Sequence, residues 1–339
     1  MTPLLLLAIL VFAGAALITV LGSIRLAGLG DVLADRTGWG EAIFGAVFFG
    51  VFTSLSGIVM TAVSAADGYP ELAYSNAVGG VAAQTFAIAV ADLFYRGSNL
   101  EHAAASLPNM LFGCLLLAML AITLMGSFTP ELMLGPLHPT TLALVVVYGA
   151  GLLLIRRSAA RPMWRAVRTE QTRQDTADEN TAPGRRLRGL WTEFAAVGLV
   201  VGTGGAAIAW AAEQIVLETA LSEGFVGAVL MGAVNALPET VTAIAAVRRG
   251  ALTLAIAAIL GGNTLDVLNV AIGDAFYTGG SIYHAATPDS LFLTVASILM
   301  TVIVLAGLLV RQNRGPARVG FEGIGLALAY GTTVAVLAF

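Results

Sequence analysis

Two carboxylates, Glu239 and Asp266, stand where an apolar helix ordinarily carries none. Both fall near the middle of apolar runs in the stretch 232–267, GAVNALPETVTAIAAVRRGALTLAIAAILGGNTLDV. If those runs cross a bilayer, each ionised side chain costs at least ~2.5 kcal/mol at the helix centre. An acid kept there at that cost has work to do, such as holding a cation or a proton. The neighbouring residues suit the same chemistry. Asn235 and Asn263 supply neutral oxygens, and Pro238, Gly261 and Gly262 are residues that interrupt helices. Irregular backbone at membrane depth is tolerated where it lines a cavity. Acids, amides and helix breakers together predict a cation site. The structural alternative is an acid satisfied by a neighbouring helix, and for Asp266 one that fixes helix packing by hydrogen bonds.

The composition agrees with a bilayer setting. The chain has 339 residues, 58% hydrophobic and only 11% charged, against about 25% charged in soluble domains. Its single cysteine, Cys114, excludes an internal disulfide framework and a cysteine metal cluster, and reads as a small buried apolar residue. The N-terminus lacks the basic start of a signal peptide, so it reads as a first span; a cleaved signal is the alternative.

Apolar runs occupy 4–24, 41–66, 72–95, 108–126 and 139–155, and after a polar gap 191–212, 224–247, 251–273, 288–310 and 320–339. Each is near the ~20 residues that span the hydrocarbon core. The expected fold is an all-α membrane protein of ten transmembrane helices, divided as 1–155, a linker 156–190, and 191–339. All 17 basic residues are arginine. In the ten-span map every one falls on one side, including Arg25, Arg36, Arg96, Arg248, Arg311 and the Arg-rich linker. That side is cytoplasmic by the positive-inside rule, both termini lie outside, and the chain is a multi-pass cell-membrane protein. Asp67, Glu71, Glu131, Glu218, Glu223 and Asp289 fall on the outer side. The linker reads as a solvated segment, with lipid-headgroup contact or regulation as the sharper alternative.

Five spans on each side of the linker invite an internal comparison. Laid over 50–85 without a gap, the second-half stretch pairs Gly50 with Gly232, Gly68 with Gly250, and Gly79-Gly80 with Gly261-Gly262. Thr53 and Ser54 then fall on Asn235 and Ala236, Gly57 on Glu239, and Gln84 on Asp266. An odd number of spans per repeat makes the halves run in opposite directions, with the site at their interface near the midplane. Gly57, Gly79 and Gly80 are the corresponding helix-break positions of the first half.

The motifs Asn235-Ala236-Leu237-Pro238-Glu239 and Gly261-Gly262-Asn263-Thr264-Leu265-Asp266 resemble the second α-repeat of the cation/Ca2+ antiporters, the superfamily of sodium/calcium and proton/calcium exchangers. The resemblance implies two inverted five-helix bundles around a central ion site, alternating access, and transported cations (Ca2+, Na+ or H+) in place of a resident cofactor. The family usually has one glutamate per repeat facing the ion. Here the first position is Gly57, preceded by Ser56, and both carboxylates come from the second half. The expected ligand set is Thr53, Ser54, Gln84, Asn235, Glu239 and Asp266 with freed backbone carbonyls, and Asn263 beside it. Ca2+ takes about 6–8 oxygens, usually with several carboxylates, so the reduced charge also fits a monovalent cation or a proton. In this reading Glu239 is the central ligand, and Asp266 forms a flanking site or holds Asn235 and Gln84. Inorganic cations and the lipid bilayer are the expected partners, not nucleic acid; oligomeric state is not legible. A transport-inactive relative that serves as a membrane binding partner is the further alternative.

An enzyme is not expected. His102, His138 and His284 lie at span ends or in loops, and Ser54-Leu55-Ser56-Gly57 lacks the glycine spacing of a nucleophile elbow. Asp92 and Arg96 read as a surface i,i+4 pair, Glu193 and Glu322 as helix-start caps, and Glu213 as a candidate guard of an ion entrance.

Overall fold

The structure is a computed structural model that describes residues 2–37, 54–95, 97–167, 186–313, 315 and 320–339. Thr53, Arg96 and residues 168–185 of the linker lie outside the described residues. The described chain is helical: α1 (Pro3–Thr37), α2 (Leu55–Ala66), α3 (Pro70–Asp92), α4 (Leu100–Ala104), α5 (Leu107–Gly126), α6 (Pro139–Ala160), α7 (Leu187–Glu218), α8 (Gly232–Arg249), α9 (Leu252–Phe276), α10 (Pro288–Val310) and α11 (Phe321–Leu337). A short turn, Glu223–Phe225, and a π-helical stretch, Val226–Met231, lead directly into α8. Among the described residues, seven helices are long and apolar enough to cross a membrane. The 23-residue α3 is not among them, and α2 and α11 are shorter.

Burial explains why α3 is different. It is packed by α2, the π stretch, α8, α9, α10 and α11, and so it has little need of lipid-facing side chains. Its sequence is accordingly rich in Ala, Gly and polar residues, nearly all buried. Small residues let helices approach closely where lipid supplies no hydrophobic drive for association. Gly79 packs onto the backbone of Ala228, and Gly227 is close enough to α3 that a methyl would stand 2.7 Å from the Leu72 carbonyl oxygen. The peripheral pair is α1 and α7, which lie along each other.

The helix-break expectation is corrected here. α3 runs unbroken through Gly79-Gly80, α9 through Gly261-Gly262, and α8 through Pro238, while Gly57 sits inside α2. Among the described residues, the departure from α geometry nearest the site is the π stretch, four residues before Asn235. Gly79 and Gly80 permit contact between helices instead.

Other expectations also change. Arg25 lies inside α1 rather than after it, and its guanidinium donates to Glu193 of α7. Glu193 is therefore an ion-pair partner. Asp92 is buried rather than on the surface, and it accepts from the Leu100 N–H at 2.7 Å. Cys114 is exposed on α5; a lipid-facing position and a core position have the same apolar context in sequence.

The two halves share turns at one constant offset. Gly68 ends α2 with φ +88°, and Gly250 ends α8 with φ +84°. Each is followed by the same backbone bond, Tyr69 N–H to Ser64 and Ala251 N–H to Ala246. At the far ends of α3 and α9, Asp92 accepts from Leu100 N–H and Asp274 from Ile282 N–H. The left-handed turn requires glycine, because a Cβ there costs about 1–2 kcal/mol. We expect Gly68→Ala and Gly250→Ala each to lower stability by about that amount, read as reduced thermal unfolding temperature of the detergent-purified protein. Gly149→Ala, which meets nothing within 4 Å, is the neutral control.

Candidate functional site

Asp266 is the centre of the polar interior. It is fully buried in α9 and gathers amide donors from three helices. Its Oδ2 accepts from Gln84 Nε2 of α3 at 2.6 Å and from Asn235 Nδ2 of α8 at 3.2 Å. Its Oδ1 accepts from Asn269 Nδ2, one turn along α9, at 3.3 Å. The Ser54 hydroxyl faces the same carboxylate from the start of α2. The structure therefore brings Ser54, Gln84, Asn235 and Asp266 together.

Glu239 is buried one turn beyond Asn235 on α8. It shares with Gln84 the space over Gly262. A methyl there would stand 3.3 Å from Gln84 Oε1 and 3.8 Å from Glu239 Cγ. Asn263 is set apart from Asp266. Its Nδ2 donates to Thr85 Oγ1 at 2.8 Å, and Thr85 in turn donates to the Val81 carbonyl at 2.7 Å.

The amides are oriented by the acid. With their nitrogens turned to Asp266, the oxygens of Gln84, Asn235 and Asn269 are buried without a donor among the described residues. The side-chain oxygens of Asn263 and Asn76 are in the same condition. Buried polar atoms are ordinarily satisfied, and each exception costs about 1–3 kcal/mol. Three such acceptors gather at Asp266, and two more lie elsewhere in the interior, which is thereby rich in unpaired oxygens.

Gly57 has a specific neighbour. A methyl on it would overlap the Asn235 side-chain oxygen and stand 2.8 Å from Asn235 Cγ. A methyl on Gly80 would stand 2.5 Å from Asn235 Nδ2 and 3.6 Å from Asp266 Oδ2. The Asn235 amide thus fills the space beside both first-half glycines. Among the described residues, no first-half acid enters this interior, and a second-half amide lies against Gly57.

Two participants escaped the sequence reading. Asn269 lies three residues after Asp266, on the same face of α9. Asn76 lies two turns before Gln84 on α3 and donates to Thr61 Oγ1 at 2.9 Å and to the Gly57 carbonyl at 3.3 Å. Helical spacing from the singled-out polar residues is the signal that would have found both.

The fold and this interior define a class: a helical membrane protein with an acid–amide site buried among helices of both halves. The chain matches the description "sodium/calcium exchanger protein" over residues 7–156 and 190–339. It belongs to the sodium/calcium exchanger family. Solved structures agree on the fold. One of an H+/Ca2+ exchanger, CAX, aligns with TM-score 0.70 at 11% identity over 98% of this chain and 85% of that one. The sodium-calcium exchanger NCX_Mj aligns with TM-score 0.61 at 14% identity over 98% and 99%. The structure of native YfkE gives the same four values as NCX_Mj. No curated protein matches this chain.

Proposed function

We propose that this chain is a secondary-active cation antiporter that works by alternating access around Glu239 and Asp266. The observation that carries the reading is the arrangement at Asp266: three amides donate to the acid, and their own oxygens are left buried without donors. A desolvated cation supplies the positive charge such oxygens lack. Exchange follows if a proton or a second cation competes for Glu239. Burial disfavours an ionised carboxyl, and a bound cation favours it. Cation arrival then expels the proton, and cation departure lets a proton return. Asp266 positions Asn235 and Gln84 and flanks the ion.

The architecture in this proposal is ten spans in two inverted five-helix repeats, 1–155 and 191–339, joined by 156–190. The recurrence of the Gly68 and Gly250 turns and of the Asp92 and Asp274 contacts supports the repeat. Arginine placement supports a cytoplasmic linker and external termini. By kinship the leading exchange is Ca2+ against Na+ or H+. The Asn235 amide over Gly57 favours a second reading, a monovalent cation/proton exchanger, because the site lacks the first-half glutamate that the family usually has.

The test is flux into proteoliposomes of Ca2+, Na+ or K+ under an imposed pH or Na+ gradient. Wild type should carry gradient-driven flux of one of these cations, and Glu239→Gln should reduce it at least tenfold. Equal flux by both removes Glu239 from the mechanism. No flux of any cation by wild type would make the chain a transport-inactive relative.

A further inference from the structure

A second set of buried acids lies away from Asp266, on the arginine-bearing face, where α4 meets the start of α11. Glu101 of α4 and Glu322 in the first turn of α11 are each only 1% exposed. Their stems flank Gly307 of α10. A methyl on Gly307 would stand 2.9 Å from Glu322 Cγ and 3.3 Å from Glu101 Cγ. The absent side chain of Gly307 makes the groove in which the two acids meet. None of their four carboxyl oxygens has an ordinary hydrogen-bond donor among the described residues. Glu322 is thus more than a helix-start cap: it is a buried partner of Glu101.

Among the described residues, no hydrogen-bond donor neutralises the pair. Asp92, at the end of α3, adds a third acid whose Oδ1 is taken by the Leu100 N–H. Arg311, just past α10, donates Nε and Nη2 to the His102 carbonyl at 3.1 and 2.9 Å and Nη1 to the Val167 carbonyl at 2.6 Å. His102 turns its Nδ1 to the Arg311 carbonyl at 2.6 Å. These contacts run to backbone oxygens, and the carboxyl oxygens of Glu101 and Glu322 accept no hydrogen bond among the described residues. Asn99 is 1% exposed and its Nδ2 has no acceptor among the described residues. That nitrogen converges with Glu322 over Gly320, where a methyl would stand 2.6 Å from it. An unpartnered buried donor therefore lies beside the Glu322 carboxyl, on the Gly320 side of the pair.

Two buried carboxyls side by side do not both ionise. Burial, and then the charges of Glu322 and Asp92, push Glu101 well above the usual carboxyl range. A metal ion or a shared proton can relieve the conflict. Among the described residues, no group of three or more Asp, Glu, His or Cys is arranged to hold a metal ion, whereas Ca2+ takes about 6–8 oxygens. We propose that Glu101 and Glu322 form a proton-binding site separate from the cation site, holding one shared proton as an acid–carboxylate pair.

The proton has a mechanical consequence. α4 is tied to the turn after α10 by Asn99 N–H to the Asn313 carbonyl at 3.1 Å and by the His102–Arg311 contacts. The protonated pair adds a clasp from α4 to α11. The sign follows from the raised carboxyl: the clasp is fully present below the unfolded-state pKa and is lost as pH rises through the folded one. The pair titrates as a unit. None of these groups touches Asp266, so the proposal stands or falls separately from the transport reading.

The experiment is infrared spectroscopy of the full-length protein in nanodiscs, titrated from mildly acidic to alkaline pH, with thermal unfolding measured in parallel. In an Asp266→Asn background, a protonated carboxyl C=O band should persist at neutral pH, and Glu101→Gln and Glu322→Gln should each diminish it. The alkaline loss of thermal stability should also shrink in Glu101→Gln, whose amide donates to Glu322 at every pH. A band unchanged in both variants overturns the proposal. So does a band that disappears at fixed pH when Na+ or Ca2+ is added to the Glu239→Gln, Asp266→Asn protein, whose central acids contribute no carboxyl proton, because the pair would then hold metal. That cation titration needs no substitution at Glu101 or Glu322, so it decides the point even if a glutamine variant at either position fails to fold.

Discussion

Asp266→Asn should abolish cation-dependent stabilisation and bring flux to background. The carboxylate is the acceptor for Gln84, Asn235 and Asn269. An asparagine removes the negative charge and places an NH2 group among three others, so at least one amide must turn. Removing one member of a buried charged arrangement costs about 3–5 kcal/mol. At about 1.4 kcal/mol per tenfold, cation affinity should fall by roughly two to four orders of magnitude. The measurement is the shift in unfolding temperature on adding Na+, K+ or Ca2+ in detergent, compared with wild type. A variant that keeps the wild-type cation shift would show that Asp266 only packs helices.

The second large effect concerns Gly57. Gly57→Glu alone should be destabilised, because its Cβ runs into Asn235 and a further buried acid is added. Overpacking of this kind costs typically about 1–3 kcal/mol, and the unpaired acid adds at least ~2.5 kcal/mol at membrane depth. Combined with Asn235→Ala, the same glutamate has room and faces Asp266 and Glu239 from the opposite half. Three carboxylates favour a divalent ion, since ligand charge tunes Ca2+ affinity. The double variant should bind Ca2+ at least tenfold more tightly than wild type, measured by isothermal titration, with a loss of preference for monovalent ions. If Gly57→Glu is as stable as wild type, or the double variant gains no Ca2+ affinity, Asn235 does not occupy the place of a first-half acid.

The contrast between these residues shows what can be read from sequence. Glu239 and Asp266 were legible because an acid in an apolar run is costly and therefore conspicuous. Asn76 and Asn269 were not, because an amide in an Ala-rich helix is a much weaker anomaly. Gly79 and Gly80 were noticed for the wrong reason. A glycine that interrupts a helix and one that admits a neighbouring backbone look alike in sequence, and the neighbour, Ala228, is remote along the chain. Arg25 made the first span look short, because its partner Glu193 belongs to the other half. Seven of the apolar runs fall on helices long and apolar enough to cross a membrane, since hydrophobic length depends only on local sequence. The pairings across halves do not, and Asn235 over Gly57 is among them.

The π-helical stretch Val226–Met231 bears on how the interior could be re-aimed. A wide turn of this kind holds one residue more than an α turn spans. Passing that surplus down the chain toward Pro238 would leave the helix length nearly unchanged while swivelling the intervening side chains by about 100°. Pro238, which gives no N–H to the ladder, offers a place for the surplus to come to rest. Asn235 lies between the two points. A single slipped residue would carry its amide off Asp266 and away from Gly57, with no rigid-body movement of α8.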